Sequence, residues 1–90
     1  MENEVLLIAR QKVGAYLKSI REEKELSLYA VGQKSGLAIS QLHSIEAGSS
    51  SYTFDSFLRV TAALDCYFFL ESKEGKHLDF EHMAKKAKRK

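Results

Sequence analysis

Apolar positions in residues 5–24 recur three and four apart, at Val5, Ile8, Ala9, Val13, Tyr16, Leu17 and Ile20, which is the period of one face of an α-helix. Lys12, Lys18, Arg21, Glu22 and Glu23 fall mostly off that stripe, so the spacing predicts one long amphipathic helix. Ser27 precedes a second helical pattern over residues 28–35, where its side-chain oxygen can accept from the free amides of the first turn. Gly36 is expected to end that helix in a left-handed turn. Over residues 39–46, Leu42 and Ile45 share one face of a short third helix that stops before Gly48. Gly48-Ser49-Ser50-Ser51 reads as a loop. Thr53 then caps a fourth helix whose core stripe is Phe54, Phe57, Leu58, Thr61 and Leu64.

Past Asp65 the pattern changes to Cys66-Tyr67-Phe68-Phe69-Leu70, an aromatic run of high β propensity that predicts a single strand. No second strand is evident elsewhere in the chain, and one strand cannot satisfy its own backbone hydrogen bonds. Pairing with the same strand of a twofold-related copy is therefore expected, the alternative being an ordinary extended segment laid over the core. Residues 79–88 are expected to form a last short helix with Phe80 and Met83 on one side. The fold class that follows is all-α: a compact bundle of four to five helices with one C-terminal β-strand.

Hydrophobic residues at 44% and charged residues at 29% are a globular balance, too apolar for disorder. The net charge of +2 conceals an uneven layout. Lys85, Lys86, Lys88, Arg89 and Lys90 form a basic tail, while residues 1–84 carry nine basic against twelve acidic side chains, a net of −3. Such a tail holds nucleic acid non-specifically or is simply a solvated end. Cys66 is the only cysteine, which excludes an intrachain disulfide and fits a reducing compartment. His77 and His82 are five apart, not a helical ligand pair, so neither a metal nor a cofactor is expected. No apolar run approaches the roughly 20 residues of a membrane span, and a soluble cytoplasmic protein is the expectation. The chain shows no paired nucleophile and base and no glycine-rich phosphate loop, which argues against an enzyme.

Two short helices joined by a tight turn at Gly36 are the arrangement in which the second helix can enter a DNA major groove. Leu26-Ser27, Val31-Gly32, Gly36-Leu37, Leu42, Ile45-Glu46 and Gly48 resemble the pattern of the Cro/cI (XRE) family of helix-turn-helix DNA-binding domains, whose fold is lambda-repressor-like. The resemblance extends upstream to residues 17–24 and downstream to residues 53–64. It implies a helix-turn-helix DNA-binding domain over residues 1–65; the pattern beyond it adds a dimerisation strand and short helix over 66–84, and the charge run a basic disordered tail over 85–90. The layout after Thr53 is loosely similar to the HipB-type antitoxins, which pair such a strand across their dimer.

By position, the resemblance implies a structural ion pair between Arg21 and Glu46. It places Ile39, Ser40, Gln41 and Ser44 against base edges, with His43 near the groove wall. Gln41 is the most informative of these, because an amide can make paired hydrogen bonds to adenine while Ile39 packs on a thymine methyl. Phosphates would meet Ser27, Ser49, Ser50 and Ser51, with Lys34 and Arg59 as ionic contacts. Three features depart from the pattern. Leu28 stands where a polar phosphate contact is usual, Ala38 stands at the cap of the recognition helix, and that helix contains no Lys or Arg. The function implied is a dimeric sequence-specific regulator of transcription, acting as a repressor on double-stranded DNA. The alternatives are an antitoxin that binds a toxin protein and represses its operon, or a protein-interaction module that no longer reads DNA.

Overall fold

The computed structural model describes residues 2–79. The long amphipathic pattern forms α1, Glu2–Glu23. It ends where Glu25 takes a left-handed φ of 58°, which turns the chain so that the Leu26 amide donates to the Arg21 carbonyl at 3.1 Å. Ser27 starts α2, Leu28–Ser35, by accepting from the Ala30 amide, and Gly36 closes it at φ 79°. α3 covers Ile39–Ala47 and ends at Gly48, φ 66°. Thr53 caps α4, Phe54–Ala63, by accepting from the Ser56 amide. The four helices put their apolar stripes together in one core of Leu17, Val31, Leu42, Ile45, Val60, Ala63 and Leu64, with Leu28 and Phe57 among the half-buried side chains around it.

Beyond α4 the structure departs from the expected single strand. Cys66, Tyr67 and Phe68 are not in a strand. They form an extended lead in which the Phe68 ring packs edge-on against Phe54 and Phe57, centroids 5.9 and 5.2 Å apart. The strand, β1, is Phe69–Glu71, and it has a mate in its own chain: β2, His77–Asp79. The pair is antiparallel, with Phe69 opposite Asp79, Leu70 opposite Leu78 and Glu71 opposite His77. The premise that β1 must borrow a partner strand from a second copy is thereby overturned. Asp79 lies in β2 instead of starting a helix, and the remainder of that expected helix and the basic tail fall outside the described residues.

The turn explains why the hairpin escaped the pattern reading. Ser72 accepts the Gly75 amide through its carbonyl and the Lys76 amide through its hydroxyl, and Gly75 sits at φ 90°. On sequence alone, the charged residues of this turn look like a linker, and three residues of β2 are too few to show alternation. A two-stranded ribbon is marginal in water by itself. Here the stack of Phe69 on His77, centroids 4.6 Å apart, supports one of its faces.

The closest approach between helices is backbone on backbone. A Cβ added to Gly14 of α1 would stand 2.3 Å from the Glu46 carbonyl oxygen and 2.4 Å from that of Ile45. Reciprocally, one added to Gly48 would stand 2.6 Å from the Gln11 amide nitrogen. Both positions need the absence of a side chain, and Gly48 also needs its positive φ. Replacing an ordinary helical glycine by alanine gains about 1 kcal/mol. At Gly14 the sign inverts: Gly14→Ala is expected to lower the unfolding free energy by about 3 kcal/mol, as overpacking does when no flexible side chain can give way. Urea denaturation monitored by circular dichroism measures it, and an unchanged or raised midpoint would refute the close seam.

Candidate nucleic-acid interface

α3 is held from below by one charged pair. The Arg21 Nε donates to Glu46 Oε2 at 2.6 Å and its Nη2 to Oε1 at 3.1 Å, a two-pronged contact that fits the planar guanidinium. The third arm, Nη1, donates to the Leu26 carbonyl at 2.8 Å. Arg21 thereby fastens the end of α1, the linker into α2 and the last turn of α3. Both side chains are nearly covered, at 13% and 12% exposed. The Arg21 guanidinium is held above its ordinary pKa first by the hydrogen bonds it donates to Glu46, against desolvation that acts the other way. A carboxylate in the last turn of a helix opposes the negative end of its dipole, so Arg21 also offsets an unfavourable position of Glu46.

With Leu42 and Ile45 buried and Glu46 nearly covered, α3 exposes Ile39, Ser40, Gln41 and His43. Ser40, Gln41 and Ser44 line a groove of about 390 Å³ whose far wall is Ser50, Ser51, Tyr52, Thr53 and Ser56. The structure therefore brings three of the expected base-facing residues together with two of the expected phosphate-facing serines. Ile39 is exposed on the opposite flank, where it shares a shallow depression with Tyr29 and Gln33 of α2. His43 and Ser49 are exposed but do not line the groove. Tyr29 and Gln33 were not singled out from the sequence. Their spacing of four on α2, off the face of buried Val31, was the available signal.

Two expected contacts already have intramolecular work. The Ser27 oxygen accepts the Ala30 amide at 3.0 Å, and Arg59 donates through Nη1 to the Ser35 carbonyl at 3.2 Å, closing the end of α2. Lys34 is exposed in the last turn of α2. Leu28 turns to the core instead of outward, which accounts for an apolar residue there. Ala38 offers no side-chain cap, but Gln41 Oε1 accepts the Ala38 amide at 2.9 Å. That bond also settles how the Gln41 amide is oriented, since only its oxygen can face an N–H donor.

Cys66 is half-buried, and burial pushes its thiol up, with Asp65 acting in the same sense and Lys24 against. A thiol held protonated is a poor nucleophile and metal ligand. Among the described residues no three His, Cys, Asp or Glu side chains gather as a metal site, and no helix is long and apolar enough to cross a membrane.

A capped α2, a glycine turn, and an α3 with a polar outer face, braced by α1 and α4, define a Cro/cI-like helix-turn-helix domain. Two solved structures share this architecture. One is the restriction-modification controller protein C.AhdI from Aeromonas hydrophila, at TM-score 0.62 and 29% identity over 66% of this chain and 89% of that one. The other is an HTH_3 family transcriptional regulator from Vibrio cholerae, also at TM-score 0.62, with 28% identity over 67% of this chain. The present chain spans about a third of the latter, 34% of its length. No family model and no curated protein matches the sequence.

The pairing of Arg21 with Glu46 leads to a double-mutant prediction. Arg21→Ala strands a nearly covered carboxylate at a helix C-terminus and is expected to cost about 3 to 5 kcal/mol. Arg21→Met combined with Glu46→Leu removes both charges and is expected to recover most of that loss. Equilibrium unfolding of the single and double variants tests this, and equal instability of the two would show that the pair is not the fastening.

Proposed function

We propose that this chain is a sequence-specific double-stranded DNA-binding regulator that acts as a dimer, represses transcription and works in the cytoplasm. The observation that carries this reading is the groove between α3 and the start of α4. Hydroxyl and amide groups line it on an α3 whose base is rigidly seated, as a helix entering a major groove requires. Ile39, Ser40, Gln41, His43 and Ser44 would face base edges. Ser50, Ser51 and the amides at the start of α4 would hold phosphate, with Ser27, Ser49, Lys34 and Arg59 at the margins. A domain that is net negative over residues 1–84 gains little from phosphate neutralisation, so the basic residues at 85–90 supply the sequence-independent attraction. Twofold symmetry would set half-sites about one helical turn apart.

Gln41 carries the sharpest consequence. With one lone pair of Oε1 occupied by the Ala38 amide, the second lone pair and the Nε2 donors remain for a base, the set that pairs with adenine N6 and N7. A second reading, an antitoxin that also binds a toxin protein, draws support from the hairpin, which leaves Phe69, Leu70 and Leu78 about half exposed. Co-purification with the product of the adjacent gene, lost on Leu70→Lys, would favour it.

Selection from a random duplex library with the full chain, near physiological salt, tests the first reading. A twofold-symmetric site is expected to be enriched. Gln41→Glu keeps the capping acceptor but has no donor, so it should lose discrimination at one base pair per half-site, worth about 1 to 3 kcal/mol, with little change in thermal stability. Absence of enrichment from folded protein would overturn the DNA-reading function.

A further inference from the structure

α1 carries a second apolar face that the domain covers only at its Ile20 end. Leu17 and Gly14 turn to the core, whereas Val5, Ala9, Val13, Tyr16 and Ile20 form a neighbouring stripe at steps of four, four, three and four, the spacing of a helix–helix seam. Val5 and Tyr16 are 62% and 61% exposed, and Ile20 is only partly covered. The stripe runs into a groove of about 500 Å³ between the end of α1 and the lead after α4, where Tyr16 and Ile20 meet Cys66 and the half-exposed Tyr67.

We propose that this face seats the same face of a second copy of the chain, with the two α1 helices antiparallel about a twofold axis near Val13. The stripe is self-complementary under that operation. Reversing it sets the bulky Tyr16 over the small Ala9 of the other copy. It also brings Val5, at the projecting end of α1, to Ile20 at the mouth of the receiving groove. A protrusion and a recess on one face are what an isologous interface needs. Val5, Leu6, Val13, Tyr16 and Tyr67 leave roughly 500 Å² of apolar side chain bare per chain, as large as the functional patches of monomeric proteins. Fully covered on both copies, two such faces would bury about 1,000 Å² before polar flanks are added, the lower bound for a specific interface. The inference rests on the dimeric reading above, and it needs no strand from the second copy, since β1 already has a mate in its own chain.

The test is sedimentation of the full chain at micromolar concentration without DNA. Wild type is expected to be dimeric. Ala9→Arg, an exposed change that suits a helix, should weaken association at least about tenfold, a loss of about 1.4 kcal/mol, with helical circular dichroism unchanged. Val13→Cys should form an intermolecular disulfide on oxidation, whereas Lys18→Cys, on the opposite side of α1, should not. A dimeric Ala9→Arg without Val13→Cys cross-linking would overturn this interface while leaving a dimeric DNA reader standing. A monomeric wild type would overturn both the interface and the dimer, and the DNA selection would still report separately on base reading.

Discussion

The contact on which the rest of the domain depends is the seam between α1 and the end of α3. Gly14 and Gly48 let the two backbones touch, and Arg21 locks the register by gripping Glu46 and the Leu26 carbonyl together. Backbone contact alone would allow sliding, and an ion pair alone would leave two long side chains to find one another at an entropic cost. Together they convert a nine-residue helix, too short to persist by itself, into a rigid element. The orientation of Ser40, Gln41 and Ser44 is set from behind, on the side that faces the protein, so they line the groove even though Gln41 Oε1 also accepts the Ala38 amide.

That division of labour bears on the electrostatics. Of the basic side chains near α3, Arg21 is spent inside the fold and Arg59 holds the end of α2. The outer face of α3 offers hydroxyls and an amide, which position and discriminate through hydrogen bonds but release no counterions. Such a face is selective before it is tight. Affinity must then come from elsewhere, through doubled contacts in a dimer or through basic residues at a distance from the bases.

The helices were legible because their signals are local. Ser27, Gly36, Gly48 and Thr53 each act within one turn, and the structure places them at helix ends. Arg21 and Glu46 are 25 residues apart, and they were named through resemblance, since no periodicity links them. At Gly14 the cue in the sequence is faint, a glycine inside an otherwise strong helix, which signals close approach without saying to what. The hairpin was missed for a different reason. Its pairing closes over the turn at residues 72–76 with only three residues per strand, and that turn is made by a serine hydroxyl and Gly75, chemistry that a charged segment conceals. Half-buried Cys66 and Phe68 look the same in sequence whether they lie in a strand or beside one; only the Phe54 and Phe57 rings on α4 decide it.

The intrachain hairpin removes the argument that a second copy has to supply a mate for β1. A strand without a mate demands one, whereas in a hairpin each strand is already paired on one side and keeps only its outer edge open. α1 has its inner side committed to α3, and its outer stripe faces water along most of its length. A helix amphipathic in one direction needs one partner, but α1 is apolar in two directions separated by about a third of a turn. The first is answered by the core and the Gly14 seam. If the second is answered by another copy, one rigid helix lies between the symmetry axis and each recognition helix. The spacing of the two half-sites would then be fixed by the thickness of α1 and its seam rather than by a flexible C-terminal segment.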